Sequence, residues 1–283
     1  MRAILLVFLS LWVWAPCLSF CGTDTHVARI VSLAPSITEI IYTLGLGDRL
    51  VGVTSFSNYP AEAKKLPKIG TYIHLNLEKI IQLNPDIAIG TWDGNRRSDI
   101  RILKEMGIKV YMTTPKNIWD VINSIQQIGM ILGIPQKGVM VASSLRMRID
   151  NIRKKVSTLK RVRVFLQINN RPLITVNKDT FQNDLMRLAG GINIAEDEPI
   201  RYPRISIEEV IYRRPEVIII SSMEIGGKFE EMRQEWMKWK DIPAVKNGRV
   251  FLVNSDLLDR ASPRLVEGLE TLARLIHPEA GWR

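Results

Sequence analysis

Apolar positions divide the chain into three stretches. In the first, short apolar runs of strand length alternate with segments of helical spacing. Arg29-Ile-Val-Ser-Leu33 predicts a short buried strand, and Pro35-Ser-Ile-Thr-Glu39 opens a helix whose apolar face is Ile37, Ile40, Ile41 and Leu44. Gly45 and Gly47 end that helix, and Leu50-Val-Gly-Val53 predicts the next strand. A helix from Asn76, stopped before Pro85, leads into a strand at 87–89, and a helix at 100–106 leads into a strand at 108–111. In the second stretch, 118–159, the spacing is helical almost throughout, with one break at Gly133-Ile-Pro135. There Val139, Ala142, Leu145, Ile149, Ile152 and Val156 predict one face of a long helix. Alternation then resumes, with strands at 162–166, 217–220 and 250–253, a helix at 181–188 and a closing helix at 263–275. Such alternation predicts an α/β fold of parallel sheets covered by helices. The expected organisation is a lobe over 24–134, a linking helix over 135–159 and a second lobe over 160–283.

An internal repeat supports two lobes of one plan. Asn76-Leu-Glu-Lys-Ile-Ile-Gln-Leu-Asn-Pro-Asp-Ile-Ala-Ile89 aligns without gaps to Ser206-Ile-Glu-Glu-Val-Ile-Tyr-Arg-Arg-Pro-Glu-Val-Ile-Ile219, always 130 positions apart. In each copy a capping residue (Asn76, Ser206) opens a helix, and a proline (Pro85, Pro215) ends it before a buried strand. Convergence on a common cap–helix–proline–strand pattern is the competing explanation.

Composition changes this picture at the N-terminus. Arg2 precedes an uncharged apolar run from 3 to about 20, the layout of a secretory signal, which is expected to occupy 1–21. The run also approaches the ~20 residues of a spanning helix, so an uncleaved anchor is the alternative. Either way the body is expected outside the cytoplasm, in the periplasm. Both cysteines, Cys17 and Cys21, fall in or at the edge of this segment, leaving the folded part without disulfide or thiol chemistry. Leu18-Ser-Phe-Cys21 is similar to a lipoprotein cleavage box, although Phe20 stands where a small residue is usual, so lipid anchoring at Cys21 stays open.

A net charge of +10 brings nucleic acid into question. The basic residues are interspersed with acidic ones, and the densest groups interrupt a helical pattern, which predicts a solvated basic face and no nucleic-acid partner. Catalytic signatures are missing. Gly45-Leu-Gly-Asp48 lacks the third glycine of a dinucleotide fingerprint, and neither a Gly-Lys-Ser/Thr phosphate loop nor a Gly-x-Ser-x-Gly elbow occurs. His26, His74 and His277 are the only histidines, too few for a zinc-type cluster. A binder, not an enzyme, is expected.

Arg29-Ile-Val-Ser-Leu-Ala-Pro-Ser-Ile-Thr-Glu39, Asn76-Leu-Glu-Lys-Ile80 with Asn84-Pro-Asp86, Arg163-Val-Phe-Leu-Gln167 and Asp259-Arg-Ala-Ser-Pro-Arg264 make the resemblance specific. With these motifs the chain resembles the periplasmic cobalamin-binding family of ABC importers, in order from about 29 to 275. That resemblance implies the class III periplasmic binding protein fold: two Rossmann-like lobes, a rigid linking helix, a ligand cleft and modest closure. It implies no cofactor and no reaction, a monomer, a corrinoid ligand such as cobalamin, and the transmembrane permease subunits as partners. Carried over position by position, the ligand contacts are Phe56, Tyr72, Trp92, Ile174, Tyr202, Asp256 and Arg260. Trp92 is displaced by one from the family's tryptophan, which falls at Thr91, and Ile174 and Tyr202 replace aromatic residues. Aromatic faces suit a broad corrin ring, and polar groups suit its amide side chains. The resemblance further assigns Glu78 and Glu208 to docking on the permease, one per subunit. A glutamate in a first helical turn is also stabilised by ~0.3–1 kcal/mol from the helix dipole alone. His74 is a weaker candidate, as an axial ligand to cobalt or haem iron; a solvated loop histidine is the plainer reading. Two alternatives stay open: a haem or ferric-siderophore binder of the same superfamily, and a metal-cluster or chelatase-like enzyme of related fold.

Overall fold

The computed structural model describes residues 27–222 and 228–282. The expected signal segment, with Cys17 and Cys21, lies outside the described residues. The chain runs β1 (Ile30–Ser32), α1 (Pro35–Thr43), β2 (Leu50–Val53), α2 (Leu77–Gln82), β3 (Ile87–Thr91), α3 (Arg97–Glu105), β4 (Lys109–Thr113), α4 (Ile118–Ile131) and α5 (Pro135–Val156). It continues through β5 (Val162–Gln167), α6 (Phe181–Leu188), β6 (Gly191–Asn193), α7 (Ile207–Arg213), β7 (Val217–Ser222), α8 (Lys228–Met237), α9 (Pro243–Lys246), β8 (Val250–Asn254), α10 (Ser255–Leu258) and α11 (Leu265–Ile276). Two four-stranded parallel sheets result, in the order β2-β1-β3-β4 and β6-β5-β7-β8. Both sheets place their second strand in the same relation to its neighbours, so the two lobes share one topology.

The repeat is structural down to single backbone groups. The Asn76 side chain accepts from Lys79 N at 2.9 Å and the Ser206 hydroxyl from Glu209 N at 3.1 Å, closing the first turns of α2 and α7. Asn84 and Arg214, 130 positions apart, both take positive φ (42° and 50°) just after their helices. Next come Pro85 and Pro215, then a carboxylate: Asp86 accepts from Arg29 N (2.9 Å) and Glu216 from Arg163 N (3.0 Å). Arg29 and Arg163 in turn donate to the Asn84 and Arg214 carbonyls, each at 3.0 Å. The same clamp thus fixes the start of each sheet's second strand.

One apolar core runs through both lobes. It joins Ile30, Ile37 and Ile41 of the first lobe to Ile122, Ile125 and Ile149 of α4 and α5, and on to Leu166, Leu185 and Leu269 of the second. Each such side chain contributes roughly 1.5–3 kcal/mol by burial, so the lobes are held by packing as well as by the chain. α5 lies against α4 at Gly129 and Gly138, where a Cβ on Gly129 would stand 2.9 Å from the Gly138 Cα. This close approach moves the predicted stripe of α5 by one residue at its start. Gly138 is buried with Ala142, Leu145, Ile149, Ile152 and Val156, while Val139 faces outward, 46% exposed. Among the described residues no helix is long and apolar enough to cross a membrane.

Candidate functional site

Polar contacts between the lobes include one through the middle of α1 and one between the loops that leave the C-terminal ends of β3 and β6, the edge at which open α/β sheets bind ligands. On one side of the cleft the hub is Glu39, in the middle of α1 and only 2% exposed. Its carboxylate accepts from Ser262 Oγ at 2.7 Å and Arg260 Nη1 at 3.1 Å, and faces Arg264 Nη1 at 3.7 Å. Burial pushes its carboxyl above the ordinary 4.5, and these three partners pull against that rise. Arg260 also donates to Asn58 Oδ1 (2.8 Å) and the Phe56 carbonyl (3.3 Å) and pairs with Asp256 at 2.8 Å. Arg264 lies over the Tyr59 ring at 4.0 Å. The Ser-Ile-Thr-Glu39 and Arg260-Ala-Ser-Pro-Arg264 motifs, read as separate signatures, are two halves of this bridge.

Aromatic side chains stand near this bridge and across the cleft. Phe56 is 51% exposed on the loop after β2, although its carbonyl is held by Arg260. Tyr72 is half-buried, and its ring lies where a Cβ on Gly94 would sit, so only glycine permits that approach. Asn95 organises the same corner. Its amide donates to the Tyr72 carbonyl (2.7 Å) and the Leu33 carbonyl (2.9 Å), and its oxygen accepts from Thr91 N (2.9 Å). In the second lobe Tyr202 is half-exposed beside Arg201, and Ile174 is half-buried, bridged in antiparallel fashion to Asn169 and Arg204. Trp92 is placed differently: it packs with the cluster of Ile100 and Leu103, under Arg97 at 4.8 Å, along the outer groove of α3. The residue after it, Asp93, is the one that reaches the second lobe, facing Arg201 at 3.7 Å. His74 is exposed, with its Nε2 3.3 Å from Arg96 Nη2. Among the described residues no cluster of histidine, cysteine and carboxylate side chains is arranged to hold a metal.

A polar group in the second lobe escaped the sequence reading. Asp259 accepts from Ser221 Oγ at 2.7 Å and from Gln182 Nε2 at 3.4 Å, and burial pushes its carboxyl up to about 7, with Asp256 adding to the rise. Gln182, at the start of α6, has its own Oε1 buried without a partner among the described residues. The Phe165-Leu-Gln167 motif is structural: Phe165 packs edge-on against Trp236 at 5.6 Å, and Gln167 Oε1 accepts from Trp236 Nε1 at 2.6 Å.

Glu78 and Glu208 are both exposed, in the first turns of α2 and α7. Each helix runs back along the strand that follows it, so these turns lie at the cleft edges of the two lobes. α7 is stiffened by Arg213, which binds Glu209, Asp197, Glu198 and the Ile194 carbonyl at once.

Two parallel-sheet lobes tied by a buried charge cluster, with Phe56 and Tyr202 exposed on loops that follow the strands, have the architecture of a two-lobed solute-binding protein. The chain belongs to the periplasmic binding protein family, whose sequence profile matches residues 30–257. It is 36% identical to the vitamin B12-binding protein of Vibrio vulnificus over 245 residues, 86% of this chain and 88% of that protein. The crystal structure of the periplasmic vitamin B12-binding protein of Vibrio cholerae superposes with a TM-score of 0.80 at 30% identity, covering 91% of this chain and 99% of that one. A periplasmic heme-binding protein from Roseiflexus superposes with a TM-score of 0.79 at 29% identity, covering 90% and 99%.

Proposed function

We propose that this chain is the substrate-binding component of an ABC importer, capturing cobalamin or a related corrinoid between its lobes and delivering it to the transmembrane permease. The likeness to vitamin B12-binding relatives along nearly the whole chain carries this reading. The chemistry of the cleft supports it. Phe56, Tyr72 and Tyr202 offer aromatic surface to a macrocycle, Ile174 adds an apolar wall, and Asp256 and Arg260 offer polar contacts to its amide groups. Glu78 and Glu208 dock the two lobe rims on the permease. The protein acts outside the cytoplasm as a monomer, without nucleic acid and without catalysing a reaction. Its first lobe spans 24–134, its linking helix 135–159 and its second lobe 160–283.

The haem alternative needs an axial ligand. The candidates for that role are His74, exposed with its Nε2 3.3 Å from Arg96 Nη2, and Tyr72, half-buried beside Gly94. Spectral titration of the full chain with cyanocobalamin and with haemin distinguishes the two. A one-to-one change in the corrinoid bands supports the proposal, and a Soret shift without corrinoid binding refutes it.

A further inference from the structure

The loops after β3 and β6 meet across the cleft at Asp93 and Arg201. Arg201 Nε donates to the Asp179 carbonyl at 3.0 Å, and its guanidinium lies 5.7 Å from the centre of the Tyr202 ring. Nη1 faces Asp93 Oδ1 at 3.7 Å, too far for a hydrogen bond, and Nη2 is buried with no hydrogen-bond partner among the described residues. A guanidinium carries five N–H donors in a fixed fork, and here the hydrogen bond to the Asp179 carbonyl and the looser ion pair with Asp93 engage them. Buried donors are satisfied in most folded proteins. A guanidinium at the junction of two lobes, beside a half-exposed tyrosine, with its Nη1 paired only loosely to Asp93, has the chemistry of a site for an anionic oxygen.

We propose that Arg201 binds an oxyanion of the cleft's ligand, and that Asp93 competes with that oxyanion for the guanidinium. The proposal rests on the corrinoid reading above. A complete corrinoid such as cyanocobalamin carries one phosphodiester, in its nucleotide loop, while its remaining polar side chains are neutral amides. Arg201 therefore discriminates complete corrinoids from those that lack the loop. Asp93, drawn onto the same cation across the cleft, lowers the affinity for the complete ligand and keeps the guanidinium in place between the lobes.

Calorimetric titration of the full chain with cyanocobalamin and with dicyanocobinamide, which has no phosphodiester, tests this. The parent should bind cyanocobalamin about tenfold or more tightly than dicyanocobinamide, the range of one charge-assisted contact. Arg201→Gln should erase that preference by weakening cyanocobalamin alone. Asp93→Asn should tighten cyanocobalamin alone, because it removes the competitor. If the pair were only a tie between lobes, both variants would shift both ligands in the same direction, and that result overturns the proposal. A preference that survives Arg201→Gln overturns it as well. A parent that binds neither corrinoid defeats the functional reading together with this one, whereas equal binding of both corrinoids defeats this inference alone.

Discussion

Replacing Glu39 by glutamine keeps the shape of the side chain and removes the charge on which three groups of the second lobe converge. Breaking a buried ion pair by removing one partner typically costs about 3–5 kcal/mol. Two features of the site moderate that figure. Arg260 retains Asp256 at 2.8 Å and Asn58 at 2.8 Å, so most of the loss falls on Arg264. Among the described residues Arg264 has as its other carboxylate only Glu267 at 3.9 Å, with that side chain half-exposed. Glutamine also escapes the desolvation that raises the Glu39 carboxyl. Because the carboxyl is raised, its burial outweighs these partners, so Glu39→Gln alone is expected to cost less than about 1 kcal/mol near neutral pH, measured as the shift in urea midpoint at unchanged slope, and the tie is read from its coupling to Arg264. Arg264→Met alone should cost about 2–3 kcal/mol, because it leaves the buried Glu39 charge short of a partner, and the double variant less than the sum, with a coupling of about 1–2 kcal/mol. The pH dependence follows from the direction of the shift. The folded protein holds the Glu39 proton more tightly than the unfolded chain, so this group's contribution to stability falls as pH rises from about 4.5 through the raised folded value. Glu39→Gln should remove that part of the slope. No coupling between Glu39→Gln and Arg264→Met would refute the view that this cluster ties the lobes.

Three further outcomes are expected. Asp259→Asn should stabilise the protein at pH 8, because a carboxyl raised from 3.8 to about 7 costs stability as pH rises through that window, on the order of 4 kcal/mol if wholly expressed. The gain should vanish near pH 4, and an equal effect at both pH values in denaturant titrations would contradict the assignment. Charge reversal at both Glu78 and Glu208 should abolish uptake in a reconstituted importer while corrinoid affinity, read by calorimetry, stays within twofold of the parent; lost ligand binding would count against docking. Gly94→Ala should displace the Tyr72 ring and weaken corrinoid binding by about tenfold while costing roughly 1 kcal/mol of stability. Unchanged affinity would remove Tyr72 from the site.

Local signals made much of the fold legible. α6 occupies Phe181–Leu188 as its periodicity predicts, because Thr180 caps it at Asn183 N. The 130-residue echo anticipated the matching sheets, although not the paired left-handed residues Asn84 and Arg214 that make the echo physical. β6 has three residues, too short for a pattern. Val139 was misread because the α4–α5 contact demands glycine, an apolar position that hydrophobicity does not reveal. The largest omission was Glu39. A carboxylate in a helix facing apolar residues looks solvated until its partners are known, and those lie more than 220 positions away. Arg260 was singled out from its motif, whereas Ser262 and Arg264, which complete the charge cluster, were not. Trp92 drew attention as an aromatic residue, yet its neighbour Asp93 crosses the cleft. Contacts between lobes leave no periodicity, so they surface only as unexplained charged residues inside otherwise structural motifs.

The measurement closest to the central claim is isothermal titration of the full chain with cyanocobalamin, repeated at several temperatures. One ligand per chain, with a negative heat-capacity change from burying the macrocycle against Phe56, Tyr72 and Tyr202, is the expected result. Absence of cyanocobalamin binding, together with one-to-one binding of haemin, would contradict it.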